Sequence, residues 1–440
     1  MSILIINAGS SSVKFGLFGF DDLEPVARGL LDWAGEARRA TITLHPTGGQ
    51  SIATQRDVPN YRAGVVAALE MLRQSGLVRD DAPIHVVGHR LIHGGEEIRG
   101  PVRIDEAMKK TIARFAHLAP LHIPAGLEAI AATEAALPGV PLVGLFDTAF
   151  FADIPPAAYL YPVPYDWYEN WGIRRYGFHG TSHAYCTQRA TEMLGRHACE
   201  NKGTGTSPDS VSPLPSPVGS EPVPVLSQAG GGSDLRLVIC HLGQGGSATA
   251  VRNGVAITNT MGFTPLEGFM MGTRSGTVDP GILLHVLRER GLSVEQLDDV
   301  LHHKSGLLGI SGVSSDFRQV ETAAAAGHGR AQLALDVYAY RVRAMVGALA
   351  VTLGGLDGLV FTGGIGENSV WLRSEVCKGL ECLGVHLDPQ RNAHCRPDSD
   401  VAADGSPARV LLIHTREALM IARECRRTVE QTGNTDGRTA

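Results

Sequence analysis

Lysine, paired cysteines, a basic excess and long apolar runs are all scarce in this sequence, and each scarcity removes a class of protein. Lysine supplies six of the 39 basic residues in a chain rich in Ala and Gly, which reads as genome composition and not as function. The 39 basic side chains face 45 acidic ones, a net charge of −6, so the excess expected of a general nucleic-acid binder is missing. The longest apolar stretch, about Met345 to Leu356, falls short of the ~18 residues that span a bilayer. The N-terminus M-S-I-L-I-I-N has neither the charged n-region nor the h-region of an export signal. Seven cysteines, odd in number and without a C-x-x-C, fit neither a disulfide framework nor a zinc ribbon and suit a reducing compartment. The expectation is a cytoplasmic protein with no membrane and no nucleic acid among its partners.

What remains is an ordinary globular chain of 440 residues, 43% hydrophobic and 19% charged, enough for two or three domains. Apolar 3/4 spacing predicts helices over Tyr61–Gln74, Glu106–Leu118, Ala125–Ala136, Pro280–Arg290, Ala331–Leu353 and Glu417–Val429. A further helix is expected to be capped by Ser182 and to end near His197. Strands are expected at Ile3–Ile6, Val13–Phe18, Ile84–Gly88, Leu142–Phe146, Leu235–Leu242, Ala248–Val251, Val255–Thr258, Leu359–Thr362 and Val410–Ile413. The pattern is α/β. Between Cys199 and Asp234 the chain is dense in Gly, Ser and Pro, which predicts a disordered surface insertion. Its removal from about Gly203 to Gly230 should then leave activity largely intact.

The two halves open alike. Strand Ile3–Ile6 leads into Asn7-Ala8-Gly9-Ser10-Ser11-Ser12 and a second strand; strand Leu235–Leu242 leads into Gly243-Gln244-Gly245-Gly246-Ser247 and a second strand. An Asn253-Gly254 hairpin follows. This reads as a duplicated domain with a phosphate-sized ligand gripped between the copies. Small residues in a tight turn expose backbone N–H groups and hydroxyls that can cradle phosphate, although N-A-G-S-S-S alone serves equally as a plain hairpin turn. Gly243, Gly245 and Ala248 match G-x-G-x-x-A, but a strand follows where a dinucleotide fold needs a helix, and no Walker motif occurs. A third glycine cluster, Thr362-Gly363-Gly364-Ile365-Gly366-Glu367-Asn368, follows a strand. Three such loops at strand ends point to a nucleotide lying across an interdomain cleft.

His85, His89 and His93 would align as ligands on a helix, but V-V-G-H-R-L-I-H-G-G reads as strand plus turn, where that geometry disappears. His179 and His183 lack the Glu of H-E-x-x-H. The informative polar residues are Arg90, Asp147, His179 and Arg274, each beside Gly, Thr or Ser at an expected strand end or turn. Arginines can grip carboxylate or phosphate oxygens bidentately, and a transferring phosphoryl group needs such donors around its equatorial oxygens. Taken singly, each arginine reads as well as a surface ion pair.

These residues sit in I-N-A-G-S-S-S-V-K-F, V-G-H-R-L-I-H-G-G-E, A-P-L-H-I-P-A, F-D-T-A-F, Y-G-F-H-G-T-S-H, C-H-L-G-Q-G-G-S, M-G-F-T-P-L-E-G-F-M-M-G-T-R-S-G, G-I-S-G-V-S-S-D-F-R and F-T-G-G-I-G-E-N. With them the chain resembles the acetokinase family, outside the Cys199–Asp234 insertion. The resemblance implies two duplicated ribonuclease-H-like (actin-like ATPase) domains, about 1–150 with 417–440 and 151–416, and an interdomain active site. It implies direct in-line transfer of the ATP γ-phosphoryl group to acetate, with Mg²⁺ (or Mn²⁺) and a homodimer. By the same resemblance Arg90 and Arg274 bind the group in flight, His179 stabilises the transition state and Asp147 orients the acetate side. Asn7 and Glu417 would position the metal, and Ile92, Leu121, Phe178 and Pro265 would enclose the substrate methyl. The nucleotide would meet Ser10, Ser12, Lys14, His241, Gly243, Gln244, Gly245, Gly246, Asp316, Phe317, Arg318, Gly364, Ile365, Gly366 and Asn368. Departures from the family pattern are Gln244 for Asn, Ile123 for Asn, Phe151 for His, Ala418 for Glu, and Thr258-Asn259-Thr260 for a D-T-S run. Ile92, where Val is frequent, should shrink the pocket and favour acetate over propionate, by a modest margin since one methylene is worth about 1–3 kcal/mol. A propionate or butyrate kinase and an acetate-insensitive, chaperone-like ATPase are the alternatives.

Overall fold

A computed structural model describes residues 1–9, 12–33, 39–120, 122–200 and 234–436, without the side chains of 196–200 and 432–436. Ser10, Leu121 and nearly all of the Cys199–Asp234 insertion therefore lie outside the described residues.

Two mixed sheets carry the fold. The first contains β1 (Ser2–Ala8), β2 (Ser12–Gly19), β3 (Pro25–Asp32), β4 (Arg39–Pro46), β5 (Ile52–Asp57), β6 (Ile84–Leu91), β7 (Val102–Arg103) and β8 (Leu142–Phe146). Their order is β5-β4-β3-β2-β1-β6-β8-β7. The second contains β9 (Arg236–Leu242), β10 (Gly246–Arg252), β11 (Val255–Asn259), β12 (Gly358–Thr362), β13 (Ser399–Asp400) and β14 (Arg409–Leu412), in the order β11-β10-β9-β12-β14-β13. The duplication read from the sequence is visible as topology. In each sheet the first three strands run antiparallel, as β1–β2–β3 and β9–β10–β11. Two parallel strands extend each first strand on its other side, as β6–β8 and β12–β14. The interior strands β8 and β12, L-V-G-L-F and G-L-V-F-T, are buried at every residue, as strands covered on both faces must be.

Helices cover both faces of each sheet. Tyr61–Gln74 and Ile123–Ala136 close one face of the first sheet, with Val65, Leu69 and Ile130 in the same core as Leu4, Ile6 and Val87. The opposite face, Ile3, Ile5, Val86 and Val143, meets Ile421 and Cys425 of the C-terminal helix Glu417–Asp436. In the second sheet, Gly329–Thr352 packs on Val238, Cys240 and Leu359, while Gly180–Glu200 packs on Leu237, Ile239 and Val360. The two inner helices, Gly180–Glu200 and the C-terminal Glu417–Asp436, touch each other, and Met420 joins the second sheet's core. The sheets thus face one another across them.

Four expectations are corrected. The helix expected to be capped by Ser182 begins at Gly180, and the Ser182 hydroxyl instead meets His241 Nδ1 at 2.8 Å and Thr415 Oγ1 at 3.0 Å. The cluster Gly363–Asn368 is a short helix and not a loop, with Gly363 at φ +78 against Leu242. Gly246 and Ser247 already belong to β10, where Ser247 pairs with His241. The segment Glu106–Leu118 ends its α-helix at Arg114 and continues as a 3-10 turn over Phe115–His117. Asn253 and Gly254 both have positive φ, +52 and +87, as a tight hairpin requires. His85 and His89 lie on β6, a strand.

Candidate active site

Strand register assembles the first group of residues. Asn7 pairs with Lys14 across β1–β2 and with Arg90 across β1–β6. Lys14, Asn7 and Arg90 therefore form one row at the ends of three adjacent strands. Asp147 follows β8 directly, and Arg90 grips it bidentately, Nε and Nη2 donating to its two oxygens at 2.9 and 2.7 Å. The Asp147 side chain is 2% exposed and that of Arg90 14%. Glu417, the first residue of the C-terminal helix, brings an oxygen to 3.6 Å from Arg90 Nη1. Burial would lower the Arg90 pKa, but the charges of Asp147 and Glu417 hold it above its ordinary value. Burial pushes the Asp147 carboxyl up while Arg90 pulls against it. Burial would likewise raise Glu417; the charges of Arg90, His241 and Lys14 outweigh that and keep it below the usual carboxylate range.

The second sheet supplies the facing group. His179 stands in the left-handed region at φ +61, immediately before the inner helix. Gly180 allows this approach: its N–H donates to the Asp147 carbonyl at 3.0 Å, and a Cβ there would lie 2.1 Å from that oxygen. The turn Gly243–Gly246 follows β9, and the spot a Gly245 Cβ would take is 3.4 Å from His179 Nε2 and 3.6 Å from Arg274 Nη1. Arg274 is largely buried, and burial lowers its pKa. Its guanidinium reaches the Pro265 carbonyl at 3.4 Å and Met271 Sδ at 3.9 Å. Among the described residues it has no carboxylate in ion-pair range, so its charge awaits an anion. The two glycine segments meet where their strands are neighbours: the Gly243 Cβ position is 4.0 Å from Gly364 N.

An apolar cluster lies in the same part of the chain. Phe178, Met261 and Met271 are buried together with Ile92 against them. Met261 and Met271 were not among the residues expected from the sequence. His122 is another addition: burial, then Arg274, then Arg90 hold its pKa low, so it stands near both arginines. Its only sequence signal is the motif A-P-L-H-I-P-A.

The remaining expected nucleotide residues divide. Ser12 opens β2, His241 is the last residue but one of β9 and lies beside His179, at 4.6 Å between rings, and the Gln244 side chain leans on Gly272. Asn368 Nδ2 donates to the Gly364 carbonyl at 2.8 Å, bracing the short helix that also holds Ile365 and Gly366. The Phe317 side chain is 3% exposed and packs against Tyr338 at 5.4 Å between rings, so only the backbone of the Asp316–Arg318 segment and its flanking side chains are open at this point. Asp316 caps the helix Phe317–Ala325 and pairs with the exposed Arg318.

Comparison with known proteins follows the same lines. A sequence model of the acetokinase family matches residues 2–203 and 226–423. An acetate kinase of Cyanothece sp. is 43% identical over 433 residues, covering 97% of this chain and 98% of its own. One from Caldanaerobacter subterraneus subsp. tengcongensis is 41% identical over 433 residues, covering 98% and 99%. Among solved structures, Porphyromonas gingivalis acetate kinase superposes with a TM-score of 0.83 at 36% identity, over 97% of this chain and 99% of that one. A propionate kinase from Francisella tularensis also reaches 0.83, at 32% identity and the same coverage.

Proposed function

The chain belongs to the acetokinase family, and from that premise we propose that it transfers the γ-phosphoryl group of ATP to acetate, reversibly, giving acetyl phosphate and ADP. Arg274 carries the reading: a largely buried guanidinium without a counter-charge among the described residues, set near His179 and Arg90.

In the forward direction an acetate oxygen attacks the γ-phosphorus in line, the bond to the β-phosphate oxygen breaks, and ADP leaves with that electron pair. No proton transfer is needed. Arg90 and Arg274 face the equatorial oxygens, where charge resides throughout, and being fixed beforehand they need not reorganise. Asp147 spends both oxygens on Arg90, so its part is to aim that guanidinium. The methyl group enters the space beside Ile92, Phe178, Met261 and Met271, with Pro265 at its edge. The phosphates follow Gly243–Gly246 and the adenosine side follows Gly364–Gly366. Asn7 and Glu417 suit Mg²⁺ (or Mn²⁺): both donate oxygen, Glu417 is ionised, and one carboxylate suffices for an ion that keeps water and phosphate as its other ligands. When bound, that ion neutralises phosphate charge.

We assign residues 1–150 with the C-terminal helix to one domain and 151–416 to the other; the helix packing described above supports this. The helices Pro280–Glu289 and Val294–His303 bury none of their residues and expose Ile282, Leu284 and Val294, which supports a homodimer. The six described cysteines are all free, in keeping with a cytoplasmic location.

The test is acyl phosphate formation from Mg-ATP, trapped with hydroxylamine, with acetate, propionate, butyrate and formate in parallel. Acetate is expected to give the highest kcat/KM. A longer acid in first place would move the reading toward the propionate kinase, and ATP hydrolysis indifferent to every acid would overturn phosphotransfer.

A further inference from the structure

Behind His179 lies a second histidine that the reaction as described does not use. His183 is fully buried on the inner helix, and so is Ser247 on β10. The Ser247 hydroxyl stands between the two rings, 2.9 Å from His179 Nδ1 and 2.7 Å from His183 Nε2. A hydroxyl has one proton to give and two lone pairs; if both rings donated to Ser247, its own proton would be buried with no acceptor among the described residues, which leaves two arrangements that use it. In one, His183 Nε2–H donates to Ser247, Ser247 donates to His179 Nδ1, and His179 carries its proton on Nε2. In the other every bond is reversed, and His179 presents a bare Nε2.

His183 Nδ1 decides between them. It is buried without a hydrogen-bond partner among the described residues, and the ring beside it is Phe151, 5.9 Å away and edge-on. In the reversed arrangement that nitrogen would carry a buried N–H with nothing to receive it, whereas in the first it is a bare lone pair. Orphaned buried N–H groups are the rarer and costlier of the two. Burial keeps both imidazoles uncharged, so neither arrangement is bypassed by double protonation.

We propose that His183 and Ser247 are positioning residues that hold His179 as its Nε2–H tautomer, so that this N–H points into the cleft as a hydrogen-bond donor to the transferring phosphoryl oxygens. The Nε2 edge already faces Gly245 and Arg274, and the strained φ of His179 fixes its direction. Ser247 sits inside a strand and pairs with His241, so the hydroxyl cannot drift from between the rings. The donor role rests on the phosphotransfer reading above; the tautomer does not.

Two measurements separate them. Long-range ¹H–¹⁵N spectra of the full, ligand-free chain with ¹⁵N-labelled histidine, assigned for His179 by comparison with His179→Gln, should show its proton on Nε2. A proton on Nδ1, or a charged ring, overturns the relay. In steady-state kinetics Ser247→Ala should lower kcat roughly tenfold or more, short of the ~10²–10³ that deleting a preorganised donor costs, with KM for acetate and ATP little changed. Ser247→Thr, which keeps the hydroxyl, should recover most of kcat. An unchanged kcat in Ser247→Ala, or a loss confined to KM, overturns the functional role. If either variant fails to fold, the spectrum of the unaltered protein still decides the tautomer. A wild-type chain that makes no acyl phosphate would refute the phosphotransfer reading and leave the tautomer result standing.

Discussion

Arg90 and Arg274 bring the same charge into the same cleft but are held there in opposite ways, and the difference is measurable. Arg90 is locked to a carboxylate that is 2% exposed; removing it strands that carboxylate, which for a buried pair costs about 3–5 kcal/mol. Arg90→Ala should therefore lose most turnover and also lower the thermal midpoint. Arg274 has no such partner among the described residues, so Arg274→Ala should lose most turnover while the midpoint stays or rises. Parallel kcat and melting measurements check both, and a large loss of stability in Arg274→Ala would reveal a partner the geometry does not show. Ile92 works by volume. Its truncation to Ala removes bulk beside Phe178, Met261 and Met271, and if this cluster receives the substrate methyl, as proposed, it should raise the propionate-to-acetate ratio of kcat/KM by roughly 10-fold or more, since one methylene in an apolar pocket is worth about 1–3 kcal/mol. An unchanged ratio would remove Ile92 from the pocket.

Among the elements, the C-terminal helix matters most, because its first residue is Glu417 and its body lies on the first sheet. That docking depends on Gly88 in β6: a Cβ there would sit 2.5 Å from Cys425 Sγ and 2.7 Å from Ile421 Cγ2. Gly88→Ala should cost about 1–3 kcal/mol by overpacking and raise KM for Mg-ATP as Glu417 shifts. Adding Cys425→Ala should restore much of both in urea unfolding and kinetics; no recovery would show that the strain lies elsewhere. At this scale the sequence was read unevenly. The helix Tyr61–Gln74 matches its spacing end to end, since Asn60 caps it and one apolar stripe runs its length. Strands β3, β4 and β5 went unread. In β4, Ala40, Ile42 and Leu44 alternate with Arg39, Thr41 and Thr43, a period-2 signal that was present, while β5 is an edge strand with no buried residue and little signal to find.

For the molecule as a whole, buried histidines set the pH response. His89 and His93 are held at about 3 by burial, and His122, His179, His183 and His241 are also lowered. Below pH 6.5 the unfolded chain takes up protons that the folded chain refuses, so stability falls with pH, by up to about 1.4 kcal/mol per unit and per group. His414, raised mainly by its hydrogen bond to Glu367, runs the other way: its contribution is present below pH 6.5 and lost as pH rises through its raised value. The acid loss should dominate. His89→Gln, on β6 and outside the cleft, should shrink the drop in unfolding free energy between pH 7.5 and 5.0 by about 2 kcal/mol, and an unchanged drop would show that His89 is not held neutral. The family model passes over residues 204–225, within the Gly/Ser/Pro-rich stretch. Deleting them should leave kcat and KM near those of the full chain; a large loss would assign that stretch a part in folding or binding.

By itself the sequence determined the class, the duplicated strand–turn–strand units, and the candidate polar residues Arg90, Asp147, His179 and Arg274, because these follow from local composition, turn chemistry and short motifs. It could not say which face of an element a side chain takes once packed. Nothing in D-F-R says that the Phe317 ring packs in the core against Tyr338. Nothing in F-D-T-A-F says that both Asp147 oxygens are held by Arg90, 57 residues away. The link from His183 through Ser247 to His179 joins a helix to a strand 64 residues on, and the lone charge of Arg274 is defined by what does not surround it. Burial, partnering and strand register are properties of segments brought together, and only the tertiary structure decided them.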